Sequence, residues 1–328
     1  MKSFIAAAAS TAARWGAIDE NLEQVTAAAE SAADCGARLL LLPECCLTGA
    51  NWPTGVKAPA VEAVALALHS SPLKAVQRIA RRTGLVIAVG FYERRTGPAG
   101  RGGGGIRITQ ALVSGKGIQG VYRKVHEGAH SSHEKDLFPV FDLGFARVGI
   151  SVCFDNMFPE CARILALKGA EVLLSPFTSL PLTREAWRAE RLVALRARAF
   201  DNRLFVLSAS HAQPHVAGRP PEWGYSGICC AVSPLGDVLA ESTGKPGRPQ
   251  GIAVALDEML TRTYMLAHVP SMRARRPGAY RDLDNVKLQA KYLKHAAAYV
   301  YPERADRTVV TPPDWAEPPK SKRARRKQ

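Results

Sequence analysis

The chain has 328 residues, 47% of them hydrophobic, which is enough to bury a sizeable core, and a formal charge of +15. No stretch approaches the roughly 18 consecutive apolar residues of a membrane-spanning helix, so no membrane partner is expected. The seven cysteines, at 35, 45, 46, 153, 161, 229 and 230, are odd in number and lack the spacing of a zinc site, which argues against a disulfide framework and fits a reducing, cytoplasmic setting.

Strand and helix signals alternate along one large α/β unit. Met1–Ile5 and the alanines behind it are too short and too weakly apolar for a secretory leader and read as a first strand. Asp19 to Cys35 puts Leu22, Val25, Ala29, Ala32 and Ala33 on one helical face, with Asn21 and Gln24 as capping candidates and Gly36 past the end. Arg38 to Leu42 is a buried strand bounded by Pro43, and Glu44 stands at its end. Val61 to Arg82 reads as a helix interrupted at Pro72, and Leu85 to Phe91 as the next strand. Thr96 to Gly105 is glycine-rich but lacks the Lys-Ser/Thr ending of a phosphate loop, so it is expected to be a surface loop.

Ile106 to Ser114 and Ile118 to Arg123 flank Gly115-Lys116-Gly117 as a hairpin whose second strand ends on Lys124. His126, His130 and His133 follow in a polar stretch that also holds Glu134. With no evident partner ligands, structural or surface roles are expected for them rather than metal binding.

Arg147 to Val152 is an apolar strand that stops on Cys153, and Pro159-Glu160 opens a helix to Lys168 after a short turn. A thiol there faces the crevice at the carboxyl ends of the strands, where backbone N–H groups beyond it can receive negative charge. Free cysteine is also a common core residue, so the position gains meaning only from its company. Further on, Glu171 to Ser175 and Leu204 to Ser210 are strands. Between them lies a long helix, Thr183 to Phe200, whose Arg191, Arg196 and Arg198 are expected in surface or subunit ion pairs.

Ile228 to Val232 and Val238 to Ala240 flank a Ser233–Asp237 turn, and Ile252 to Leu256 closes the series. Sheet character is lost from about Arg273. Residues 285–311, with a helical stretch Val286 to Ala297, read as an arm, and 312–328 as a Pro-rich tail expected to be disordered. The tail holds six basic residues between Lys320 and Lys327, a composition that is usually solvated, so nucleic acid is not the expected partner.

Three strands thus end on a carboxylate, an ammonium and a thiol: Glu44, Lys124 and Cys153. Leu41-Leu42-Pro43-Glu44 with Leu47-Thr48-Gly49, Tyr122-Arg123-Lys124-Val125-His126, and Cys153-Phe154-Asp155 with Phe158-Pro159-Glu160 together resemble the carbon-nitrogen hydrolase, or nitrilase, superfamily. Weaker matches at 198–202, Gly227, Pro234, Gly236, Arg276-Pro277 and Tyr280 extend the likeness over residues 1–284, read as the hydrolase domain. The resemblance implies an α/β fold of four layers, an α-β-β-α sandwich, commonly paired into a homodimer or larger homo-oligomer. It also implies a Glu-Lys-Cys triad and a second glutamate, for which Glu134 fits. The chain departs from the pattern where a Pro-Gly stretch is reduced to Leu137–Phe141, at Cys229 in place of a more usual serine, and at Ala6–Ala9, where glutamine often ends the first strand.

The implied chemistry suits the residue types. A free thiol has a pKa near ~8.5, so attack at neutral pH needs a base or a nearby positive charge. Glu44 would take the thiol proton and later activate water. Lys124, with the Phe154 backbone N–H, would hold the oxyanion, and Asn156 is a further substrate-binding candidate. No cofactor and no metal are called for.

The run from Phe154 to Glu160 looks more like amidase or carbamoylase members than nitrile-cleaving ones, although Asn156 and Met157 stand where carbamoyl-binding relatives often place arginines. The expected substrates are small amide or ureido compounds. The alternatives are a nitrilase acting on a small nitrile and, in a different class, a catalytically silent member that binds through its basic tail.

Overall fold

The computed structural model describes residues 1–50, 58–95, 105–127, 130–131, 136–178, 183–212, 227–244 and 248–289. The expectations for Glu134, His133, the glycine-rich loop and the basic tail lie outside these residues. The chain divides into two compact units, 1–270 and 271–328.

In the first unit, six strands form one mixed sheet: β1 (Phe4–Ala9), β2 (Ala37–Leu41), β3 (Val86–Arg95), β4 (Gly105–Ser114), β5 (Gly117–Arg123) and β14 (Gly251–Leu256), in the order β14-β1-β2-β3-β4-β5. Two-residue strands β6 (His126–Glu127) and β7 (His130–Ser131) pair with each other. A second six-stranded sheet contains β8 (Val140–Asp142), β9 (Arg147–Ile150), β10 (Val172–Phe177), β11 (Phe205–Ser210), β12 (Cys230–Val232) and β13 (Val238–Glu241), in the order β13-β12-β11-β10-β9-β8.

Strand alternation explains the layering, since successive side chains leave a strand on opposite faces. In the first sheet Ala6, Ala8, Leu39, Leu41, Ala88 and Leu112 join Val148, Ile150, Val172 and Val206 of the second sheet in one core. Their neighbours Ala7, Leu40, Ile87, Val89, Phe91, Ala111 and Val113 face the other way. They pack with Val25, Ala29 and Ala32 of α1 (Ile18–Asp34) and Leu73, Val76 and Ile79 of α3 (Ser71–Thr83). Helices α4 (Pro159–Leu167) and α6 (Val193–Asn202) supply Cys161, Leu165, Leu195 and Ala199 to the core of the second sheet. The two sheets flanked by helices are the α/β sandwich expected.

Several local readings are corrected. Asn21 and Gln24 do not cap α1. Asn21 is buried inside the helix and bonds to both backbone groups of Arg14 and to the Leu47 carbonyl, while Gln24 bonds to both backbone groups of Ala12, so the two amides fasten the 12–14 loop. Pro72 does not interrupt a helix but stands in the first turn of α3, where its missing N–H costs nothing. A separate helix, α2 (Ala58–Val64), precedes it, and Leu66 bridges to Glu93 between them.

The long arginine-rich helix is α5 (Arg184–Trp187) continuing through a π-helical turn, Arg188–Leu192, into α6. One helix, α7 (Glu258–Arg273), was not anticipated, and it holds Pro270 within it. In the second unit, a 3-10 stretch, Pro277–Asp284, is followed by a helical turn over 286–289, and the remainder of the expected arm helix lies outside the described residues.

Leu40 is fully buried on β2 beneath the helix layer. Leu40→Ala is expected to cost about 2–5 kcal/mol, read as a lowered urea midpoint with an unchanged slope.

Candidate active site

Parallel pairing in both sheets brings several strand ends to one edge. β2 and β5 run in the same direction through β3 and β4, and β9, β10 and β11 are mutually parallel in the second sheet. Just past these five ends stand Glu44, Lys124, Cys153, Thr178 and His211. The edge is therefore assembled from both sheets.

Lys124 Nζ donates to Glu44 Oε1 at 2.8 Å, and the other carboxylate oxygen accepts from the Thr178 backbone N–H at 2.9 Å and its hydroxyl at 2.6 Å. The Cys153 thiol is close enough to the Glu44 carboxylate to favour its ionisation, and its Sγ lies 3.9 Å from the Thr178 carbonyl oxygen. Glu44 and Lys124 are almost wholly buried, while Cys153 is partly open.

The electrostatics follow from this packing. Burial opposes ionisation of Glu44, but the charge and hydrogen bond of Lys124, with the bonds from Thr178 and Cys153, hold its carboxyl below the ordinary value. Burial likewise opposes the ammonium of Lys124, and the carboxylate of Glu44 overcomes it, so Lys124 stays charged. Burial pushes the Cys153 thiol up to about 12, with Glu44 adding to the rise and Lys124 and Arg191 opposing it. The resting site holds a carboxylate, an ammonium and a protonated thiol.

Cys153 has φ +49, a left-handed conformation that a side chain rarely adopts and that costs on the order of 1–3 kcal/mol. The turn that holds it, Cys153–Met157, is braced from within. Asn156 Nδ2 donates to Ser151 O at 2.7 Å and Cys153 O at 3.3 Å, and Asn156 Oδ1 accepts from the Ser175 hydroxyl at 2.9 Å. Asn156 was expected against substrate, yet it is buried with both amide atoms engaged by the scaffold. The Phe154 side chain is half exposed beside Cys153, in edge contact with Phe158. Asp155 is fully buried and ties the turn to the segment around Lys124. It accepts from Tyr122 OH at 2.6 Å and the His126 backbone N–H at 2.9 Å, and it faces His126 Nδ1 at 2.7 Å. His126 is thus a structural partner of the turn that carries Cys153.

Two residues were missed in sequence. Thr178 acts through a backbone group and a hydroxyl, for which no pattern exists. His211 stands at a strand end as Glu44 and Cys153 do, and that position was the available signal. It is fully buried, with Nε2 2.6 Å from the Glu44 carbonyl oxygen and Nδ1 3.2 Å from the Thr11 carbonyl oxygen and 3.4 Å from its hydroxyl. Burial lowers its pKa although the Glu44 and Thr11 carbonyls and the Glu44 charge favour protonation. A neutral ring with its proton on Nε2 suits this environment, since Nδ1 can then accept from the Thr11 hydroxyl. Gly90 completes the seat of Glu44. A Cβ there would stand 2.5 Å from Cys45 N and 2.6 Å from Pro43 O, so only glycine lets β3 approach the 43–45 turn.

Fold and site define a thiol-bearing α/β sandwich with a buried carboxylate–ammonium pair. Residues 5–256 match the model of the carbon-nitrogen hydrolase family, and the chain belongs to that family. It is 31% identical to a nitrilase of Pyrococcus abyssi over 68% of this chain and 78% of that protein, and 28% identical to an omega-amidase of Xenopus laevis over 80% and 91%. Among solved structures it is similar to an amidase of Nesterenkonia sp. AN1 carrying the acetamide moiety of fluoroacetamide on its active-site cysteine, with 25% identity, a TM-score of 0.63, and 85% and 96% of the two chains covered.

The depressed Glu44 pKa makes a stability prediction. Its contribution is complete above the ordinary value of 4.5 and is lost as pH falls through the lower folded value. The difference in urea midpoint between wild type and Glu44→Gln is expected to stay level from pH 6 to about pH 5 and to shrink from there to pH 3. A constant difference across that range would mean that the carboxylate is not held ionised by its partners.

Proposed function

We propose that the protein hydrolyses the C–N bond of a small amide through a thioester on Cys153, and the observation that carries this reading is the buried Glu44 carboxylate, bonded to Lys124 and acting by its charge on the Cys153 thiol. With its pKa raised to about 12, Cys153 does not ionise by itself at neutral pH. Proton transfer to Glu44 must therefore accompany attack, and burial of the base beside a fixed positive charge places both groups for that step.

As Sγ bonds to the carbonyl carbon, the carbonyl π electrons move to oxygen, and Lys124 with the Phe154 backbone N–H stabilises the oxyanion. Collapse breaks the C–N bond, and Glu44 returns the proton to the departing ammonia or amine. Glu44 then removes a proton from water as it attacks the thioester, collapse breaks the C–S bond, and Glu44 returns that proton to the sulfur as the acid leaves. Thr178 and His211 hold Glu44 in orientation, and Asn156 supports the strained turn. Glu134 is proposed as a second glutamate on the resemblance alone.

Amides are favoured over nitriles because the residues after Cys153 look like those of amidase members. Ureido compounds stay within the same chemistry. The site requires neither metal nor organic cofactor in this mechanism.

Rapid quench and peptide mapping on an amide that turns over are expected to show one acyl mass on the Cys153 peptide and none in Cys153→Ala. Full turnover by folded Cys153→Ala, or an adduct confined to Cys45, Cys46 or Cys229, would overturn the mechanism. Lys124→Ala is expected to lower kcat by about a hundredfold or more, the loss of about 3 kcal/mol of oxyanion stabilisation.

Homodimerisation through the outer face of α4 and α6 is part of the proposal, since Leu167, Val193 and Phe200 are exposed there. Light scattering at micromolar concentration should give a mass of two chains or more, and a monomer would refute this part.

A further inference from the structure

The arginine-rich helix leaves one cation unaccounted for. Arg184 and Arg188 pair with Glu241 at 2.7 and 3.6 Å, Arg196 donates to Gly236 O at 2.6 Å, and Arg198 donates to Asn156 O at 3.2 Å. Arg203 donates to Pro234 O at 3.3 Å and lies over the Phe200 ring. Within the chain, the described contacts of Arg191, Arg196 and Arg198 are not ion pairs, and those of Arg191 include no oxygen acceptor among the described residues.

Arg191 Nη1 approaches Met157 Sδ at 3.3 Å, and the guanidinium lies over the Phe177 ring, 5.5 Å from its centroid. A thioether is a weak acceptor and a ring face takes no directed N–H bond, so most of the five donors of this guanidinium are left without a strong partner.

Its location is what gives the cation meaning. Met157 is the last residue of the nucleophile turn, and Phe177 immediately precedes Thr178, the residue bonded to Glu44. Arg191 is therefore held against both segments that frame Cys153, and its charge acts on that thiol. It leaves the helix from the π-helical turn Arg188–Leu192, a local widening of a kind frequent at functional sites because it re-aims side chains. Arg191 is only partly buried, and Phe154 and Met157 near it are half exposed. The mouth thus combines apolar surface with one under-used cation. Glu44 is a nearby anion, but both of its oxygens are taken by Lys124 and Thr178.

We infer that Arg191 is a specificity-determining residue that binds a carboxylate on the substrate, so that the preferred substrates are amides bearing a negative group rather than neutral ones. This rests on the amide-hydrolase reading above and adds the charge of the substrate to it. A guanidinium already positioned by Met157 and Phe177 loses little freedom on binding, and its planar fork matches a carboxylate in a two-point contact.

The test compares kcat/KM for succinamate, glutaramate and adipamate with kcat/KM for the corresponding neutral diamides, in wild type, Arg191→Met and Arg191→Lys. Using the ratio cancels any change in thiol reactivity, because loss of the Arg191 charge acts on Cys153 whichever amide is bound. Wild type is expected to favour at least one of the anionic amides. Arg191→Met should lower that anionic-to-neutral ratio about 30-fold or more, the scale of a charge-assisted hydrogen bond, and Arg191→Lys should retain part of it. Glutarate should inhibit turnover of a neutral amide competitively in wild type and fail to do so in Arg191→Met.

A wild type without anionic preference, or a ratio unchanged within about threefold in Arg191→Met, would overturn the inference and show that Arg191 only packs against Phe177. In that case neutral amides would still acylate Cys153, leaving the proposed reaction intact. If no amide of either charge acylates Cys153, the reaction itself fails, and the inference fails with it.

Discussion

The site depends on one buried contact, the ion pair between Lys124 and Glu44 at 2.8 Å. A pair removed from water is costly unless its remaining polar atoms are satisfied, and removal of one partner strands a charge in the interior. Here the second carboxylate oxygen is satisfied by Thr178, which belongs to the other sheet. The pair therefore does more than place two functional groups, since it is completed only when the sheets are in register. The candidate site is complete only with both sheets in place.

Around that pair, supporting residues restrict what can move. His211 and Gly90 seat the Glu44 turn from two directions, one by a hydrogen bond to its carbonyl and the other by having no side chain. Arg123, next to Lys124, is fixed by a two-point contact with buried Glu93 at 2.6 and 2.7 Å, and Thr109 adds a third bond to that carboxylate. Asp155 links the Lys124 segment to the Cys153 turn through Tyr122 and His126. Each group faces the crevice from a short loop, yet each loop is fastened to a strand or to another loop. Such bracing is the condition for preorganised electrostatics.

Much of this was legible in the chain because strand ends are legible. Arg38–Leu42, Ile118–Arg123 and Arg147–Val152 are apolar runs that stop abruptly, and the residues at their ends meet in space for the geometric reason that parallel strands end on one side. The two-sheet layering was not in the periodicity. Leu39 and Leu41 face the other sheet while Leu40 and Leu42 face helices, so the run looks uniformly apolar and its two faces cannot be told apart. Asn21 and Gln24 misled because an amide near a helix start looks like a cap whether it serves the helix or a neighbouring loop. Arg191 was hidden by its surroundings, since one arginine among many reads as surface charge and only the contacts of its neighbours reveal it as the exception.

The raised pKa of Cys153 has a further consequence, for the lifetime of the protein between turnovers. Peroxides and adventitious electrophiles react with thiolates, and a thiol pushed up to about 12 presents almost none at neutral pH. In the mechanism proposed above, the proton that Glu44 removes is also the proton that shields the sulfur. Its removal then accompanies attack on a carbon already lying in the crevice, so the sulfur gains its nucleophilicity with a substrate in place. On that reading the protonated sulfur of the empty site is a poor target for oxidants despite its partial exposure.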